Sequence, residues 1–122
     1  MSKPVLYKVY YGGADGEYVA YVGRTQNDLT QRIRHHFFKH PFQRTIEIDA
    51  VVRIEYAEFE TVADMFVAEI VYINTLKPPL NVDDKAKDGL TIHVDLDFVK
   101  WNTWDKPHLI EKWKSLLEKR KI

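Results

Sequence analysis

The chain of 122 residues contains no cysteine. That excludes disulfides, thiolate zinc sites and a cysteine nucleophile together, and sets the expectation of a reducing, cytoplasmic environment. No apolar run approaches the ~20 residues of a membrane span, and the opening Met1-Ser2-Lys3-Pro4 lacks the charged-then-apolar order of a secretory signal. Net charge is also missing, because eighteen basic residues balance eighteen acidic ones. Bulk attraction to phosphate is thereby excluded, whereas a locally basic face is not. What is present is a 45% hydrophobic, 13% aromatic composition, enough for one domain with a core and too little for two ordinary ones.

The zero charge is a sum of unlike parts. Residues 24 to 45 carry five basic groups against one acidic and hold three of the five histidines. Residues 46 to 69 have a net charge of −6, and 100 to 122 a net charge of +4. Such alternation fits two solvated faces as well as a binding surface, and charge alone does not choose.

Val5 to Tyr11 and Tyr18 to Val22 are β-prone and flank the turn cluster Gly12-Gly13-Ala14-Asp15-Gly16, which predicts a hairpin. Asp28 is placed to cap a helix reaching Phe38, with Leu29, Ile33, His36 and Phe37 at helical spacing and Pro41 as its stop. Val51 to Phe59 sets Val52, Ile54 and Tyr56 against Arg53 and Glu55, the pattern of a half-buried strand beside the hairpin. Thr61 and Asp64 open a long apolar helix to Leu76, terminated by Pro78-Pro79. Residues 83–89 read as a polar linker between a core, 1–82, and an extension, 90–122, expected to pack on it. The extension suggests a short strand from Leu90 to Val94 and an amphipathic helix over about 106–120, with Leu109, Ile110, Trp113, Leu116 and Leu117 on one side.

Glu69 is the one charged side chain in the twelve residues from Met65 to Leu76, in the helical series Val62, Phe66, Glu69, Ile73. A carboxylate pointing into apolar packing either stays protonated or finds a cation, and that cation is a divalent metal or an arginine. The helix alone leaves both open. In the hairpin, pairing Tyr11 with Tyr18 across an even-length loop sets Lys8 opposite Tyr21, so that Lys8, Tyr10, Val19 and Tyr21 share a face. Two phenols beside an ammonium are either cross-strand packing or a site where a cation helps a tyrosine take a proton from water. Arg32 and His36, four residues apart, share a helix flank. They are either ordinary surface residues or a phosphate fork with a proton carrier. Arg34, His35 and His40 read as a solvated basic face able to touch a nucleic-acid backbone.

Taken in order, Lys8-Val9-Tyr10, Tyr21-Val22-Gly23, Arg32 with His36, Glu69, and Lys77-Pro78-Pro79-Leu80-Asn81 resemble the GIY-YIG nuclease domain over residues 5 to 82. The resemblance implies an α/β sandwich of the α+β kind, with a central three-stranded antiparallel sheet flanked by helices, here followed by a short helical extension. It further implies hydrolysis of DNA phosphodiesters with one divalent metal, Mg²⁺ or Mn²⁺. On that basis Glu69 is the metal ligand, Tyr10 and Tyr21 are the motif tyrosines, Arg32 holds the scissile phosphate and His36 assists. Lys8, Arg24, Arg34 and Asn81 are the candidate substrate contacts, with a structural role for Asn81 equally open. Two departures stand out: Lys8 replaces the glycine that opens the first motif, and only about 40 residues follow the core where family members usually carry another DNA-binding domain. The leading expectation is therefore a metal-dependent DNA endonuclease with no membrane association. The alternative is a nucleic-acid-binding or regulatory module that keeps the fold and cleaves nothing. The tail lysines, with Arg24, Arg34 and Arg44, suggest an extended phosphate-binding surface.

Overall fold

The computed structural model describes residues 3–38, 46–81 and 89–120. Pro41 as a helix stop, His40, Arg44 and residues 83–88 of the expected linker lie outside the described residues. Element order follows the sequence patterns closely. The hairpin is β1 (Val5–Gly13) and β2 (Gly16–Thr25), turning at Ala14-Asp15 with Gly16 at a φ of +103°, where a side chain would be strained. Helix α1 (Leu29–Phe38) begins where Asp28 Oδ1 accepts from the Gln31 amide at 2.9 Å. A single 3₁₀ turn, Ile48–Ala50, leads into β3 (Val51–Glu58). Helix α2 (Val62–Leu76) is capped by Thr61, whose hydroxyl accepts from the Asp64 amide at 3.0 Å. It ends on Lys77 in the left-handed conformation, followed by Pro78.

Among the described residues the sheet has four antiparallel strands in the order β2-β1-β3-β4, not three, because Asn102–Thr103 form a short β4 against Tyr56 and Glu55. The Trp104 amide extends that pairing by donating to the Ile54 carbonyl at 2.8 Å. The strand expected at Leu90–Val94 does not form, and Ile92 is 68% exposed. The edge of β3 is taken instead by the later segment, leaving Leu90–Val94 no partner. Helix α3 (His108–Arg120) starts directly after Pro107 and buries Ile110, Trp113 and Leu117. No helix among the described residues is long and apolar enough to cross a membrane.

Strand alternation sends odd-numbered β1 residues to one face and even-numbered ones to the other. Tyr7, Val9 and Tyr11 join Ile33 and Phe37 of α1 with Trp104, Ile110, Trp113 and Leu117 of the extension. Leu6 joins Val22 of β2, Ala57 of β3 and Met65, Ala68 and Ile73 of α2. Helices thus cover both faces of the sheet, and α1 and α2 approach its β2 edge from opposite sides.

Two register shifts flank Tyr10. Against β2, Tyr10 pairs with Val19 but Val9 pairs with Tyr21, so Ala20 is an extra residue. Against β3, Tyr10 pairs with Arg53 but Tyr11 with Val51, so Val52 is extra. The second bulge corrects the expected inward alternation of β3: Val52 is 49% exposed and Ile54 is buried. The first decides which tyrosines meet.

Candidate active site

The uninterrupted pairing expected from the loop length places Lys8 opposite Tyr21. The observed bulge at Ala20 pairs Lys8 with Val22 and Val9 with Tyr21. A one-residue slip moves a side chain to the other face of a sheet. Tyr21 therefore shares a face with Tyr7 and Val9, while Lys8 and Tyr10 lie on the reverse side. Val19, on the far side of the bulge, packs with the α2-facing cluster.

On the reverse side, Lys8 and Tyr10 belong to a structural network. Tyr10 donates to Glu55 Oε1 at 2.5 Å, Lys8 Nζ lies 3.4 Å from the same oxygen, and Arg53 Nη1 reaches Glu55 Oε2 at 2.9 Å. Arg53 also lies over the Tyr10 ring at 3.8 Å and binds Glu17. The Lys8 ammonium sits 4.0 Å from the centre of the Trp101 ring, which in turn donates from Nε1 to the Tyr72 hydroxyl. Burial pushes the Lys8 pKa down despite Glu55, and burial with the bond to Glu55 pushes the Tyr10 phenol up to about 12. Neither residue is in the position expected of a substrate contact or a proton acceptor; both pin the sheet and the extension.

The residue that sequence reasoning missed is Tyr7. Its hydroxyl lies 2.6 Å from His36 Nε2, and its ring is 6.2 Å from Tyr21. Tyr21 meets His36 edge-on at 5.4 Å. Tyr7 and His36 are buried, with Tyr21 half-buried beside them. Burial, chiefly, and then the neighbouring Tyr21 push the Tyr7 phenol well above its ordinary pKa, while Arg32, as both charge and hydrogen-bond donor, pulls the other way. Tyr7 is thus a neutral phenol. We assign its proton to a bond donated to Nε2, which puts the imidazole proton on Nδ1. Val5-Leu6-Tyr7 is a second aliphatic-then-tyrosine triplet lying three residues before Lys8-Val9-Tyr10. That duplication was the available signal.

Gly23 explains how the phenol fits. A Cβ at this position would fall 2.5 Å from the Tyr7 hydroxyl and 2.7 Å from the Tyr21 ring. Only a residue without a side chain lets the two tyrosines converge on the edge strand.

Glu69 is buried on α2, one helical turn after Met65 and one before Ile73. Its Oε1 accepts from Arg24 Nη1 at 2.6 Å, so the arginine alternative for its counter-charge is present in the fold. Arg24 directly follows Gly23, which pairs with Tyr7 across the hairpin, so the ion pair sets Glu69 at the same end of the β2 edge as Tyr7, Tyr21 and His36. Beside them opens a cleft of about 470 Å³ lined by Arg24, Thr25, Gln26, Asn27, Arg32 and Met65. Arg32, half-buried, and Arg24 both reach it; Arg34 does not, being exposed and stacked over Phe38 at 4.6 Å.

Asn81 is also not placed as a substrate contact. It accepts from the Val22 amide at 3.0 Å and donates to the Val22 carbonyl at 2.9 Å, while the Leu80 amide donates to Ala20 at 3.0 Å. The segment after α2 thereby closes the β2 edge at the bulge, and both ends of the Asn81 amide serve that closure.

No curated protein and no solved structure matches the chain. The model of the GIY-YIG catalytic domain matches residues 5–81, a span that opens on Val5-Leu6-Tyr7 and closes on Asn81. With the two hairpin tyrosines, Gly23, Arg32 and Glu69 all inside that span, the chain belongs to the GIY-YIG family.

Proposed function

We propose that this protein is a DNA endonuclease that hydrolyses phosphodiester bonds with a single Mg²⁺ or Mn²⁺, and that Tyr7 and Tyr21, not Tyr10, are its working tyrosines. The observation that carries this reading is the convergence of a buried Tyr7–His36 pair, Arg32 and Glu69 beside an open cationic cleft.

The donor set fits a hard divalent ion. Mg²⁺ keeps several waters and is held by one or two carboxylates together with substrate phosphates. Glu69 supplies one carboxylate, and the cleft leaves room for water and phosphate. Among the described residues there is no group of three His, Asp or Glu side chains suited to an all-protein cage, so Glu69 would hold the ion with the substrate's help. When bound, such an ion polarises the phosphate and stabilises the leaving oxygen.

The remaining chemistry falls to the chain. A water at the mouth of the tyrosine pair gives its proton to the Tyr7 oxygen as the Tyr7 proton passes to His36 Nε2. This exchange avoids a buried phenolate, which desolvation makes costly. Tyr21 packs against both partners and fixes the approach of that water. Arg32 and Arg24 present guanidinium groups to the charge that builds on the phosphate.

The test is incubation of supercoiled plasmid with Mg²⁺, with Mn²⁺ and with chelator, with Glu69→Gln alongside. Nicking or linearisation that needs the ion and falls by about 10²-fold or more in the variant supports the reading. Cleavage indifferent to chelator and to Glu69→Gln contradicts it. No cleavage, with equal salt-sensitive binding by both proteins, transfers the weight to a non-cutting DNA-binding module.

A further inference from the structure

We infer that Arg24 is a displaceable counter-ion for Glu69, which holds the carboxylate until a divalent ion replaces it and then turns into the cleft to meet the substrate phosphate. The inference rests on the reading of Glu69 as the metal ligand.

Glu69 is buried on α2, and a buried carboxylate is stabilised by a cationic partner. Arg24 supplies that partner through Nη1 at 2.6 Å. The two ends of the bond differ. The Glu69 side chain is 10% exposed, whereas the Arg24 side chain is 49% exposed. The arginine is therefore a surface residue with one nitrogen inserted. Its guanidinium carbon lies over the Phe66 ring, 4.7 Å from the ring centre, and the same side chain lines the cleft with Arg32, Thr25, Gln26 and Asn27.

A divalent ion on Glu69 would compete with the Arg24 Nη1 proton for Oε1 and repel the guanidinium charge at short range. The arginine has somewhere to go. Phe66 is a platform over which the guanidinium can pivot while keeping its cation–π contact, and the cleft offers solvent and phosphate in place of the carboxylate. One residue thus holds the ligand in place beforehand and afterwards adds a second positive fork beside Arg32. Metal and DNA then favour each other's binding, by the same factor in each direction.

The experiment follows free Mn²⁺ by electron paramagnetic resonance at constant ionic strength, titrating wild type, Arg24→Gln and Glu69→Gln, each first shown folded by circular dichroism. The proposal predicts that Arg24→Gln binds Mn²⁺ about tenfold tighter than wild type, the factor set by loss of one charged hydrogen bond, and that Glu69→Gln loses the site. If Glu69→Gln loses the site but Arg24→Gln matches wild type or binds more weakly, Arg24 is no competitor and the proposal is overturned while the Glu69 assignment stands. If Glu69→Gln binds as wild type does, both fall together. Should Arg24→Gln fail to fold, Arg24→Met, which keeps an unbranched stem without the charge, must still bind more tightly than wild type.

Discussion

The proton relay proposed for Tyr7 depends on what surrounds a single oxygen. Burial keeps the phenol neutral, Arg32 donates toward it, and His36 Nε2 receives its proton at 2.6 Å. Gly23 makes room for that arrangement, and its replacement is informative. Gly23→Ala would drive a methyl group to within 2.5 Å of the Tyr7 hydroxyl and 2.6 Å of the adjoining ring carbon. The stiff ring cannot yield as a flexible chain end would, so urea denaturation should show a loss of about 1–3 kcal/mol, and cleavage should fall further than stability does. An alanine variant as stable and active as wild type would mean that the tyrosines are not held in this geometry. At this scale the sequence was legible where chemistry was isolated. Glu69 stood out as a lone carboxylate on an apolar helix, and Arg32 with His36 as an i, i+4 pair. Tyr7 is legible only as a duplicated triplet, because the face a strand residue occupies depends on every residue between it and the turn.

At the scale of elements, caps and breakers carried the reading: Asp28, Thr61 and Pro78 begin and end the helices by hydrogen bonds and sterics that act within one turn. Bulges are different. Ala20 and Val52 are ordinary strand residues, and no local preference marks them as extra; the Ala20 bulge lies where Leu80, sixty residues on, bonds the β2 edge. β4 escaped notice for a related reason, since two residues set no period. The network on the reverse side yields a pH prediction. Burial alone would raise the Glu55 pKa, but the Tyr10 hydrogen bond, then Lys8 and Arg53, hold it below its ordinary value of 4.5. A carboxylate with a depressed folded pKa adds stability above its unfolded value and loses it as pH falls through the folded one. Glu55→Gln should therefore cost about 1–3 kcal/mol near neutral pH, with the difference between variant and wild type shrinking as pH falls below 4.5. A penalty constant down to strongly acid pH would remove Glu55 from the network.

For the whole molecule, the extension is part of the core. Trp104 stacks on Trp113 at 6.2 Å, Trp113 meets Phe37 of α1 at 6.0 Å, and Ile110 and Leu117 are buried in the same cluster. Removing residues 90–122 would uncover one face of the sheet and one side of α1, a loss of several fully buried large side chains worth ~1.5–3 kcal/mol each. A domain's entire stability is about 5–15 kcal/mol. The truncated chain should accordingly lose its cooperative thermal transition, followed by circular dichroism; a sharp transition near that of the full chain would show the extension to be an appendage. The part of the tail lysines in binding is therefore read from point substitutions, because truncation would remove the core residues Ile110, Trp113 and Leu117 along with them.

The measurement that bears most directly on the account compares single-turnover cleavage of one plasmid by wild type, Tyr7→Phe and Tyr10→Phe at saturating Mg²⁺, with both variants shown to be folded. Removing the Tyr7 hydroxyl should slow cleavage by about 10²- to 10⁴-fold, the usual contribution of a positioned proton carrier, while Tyr10→Phe should cut at nearly the wild-type rate. The reverse order, with Tyr10→Phe inactive and Tyr7→Phe active, would contradict the assignment of the site to the face that the Ala20 bulge selects.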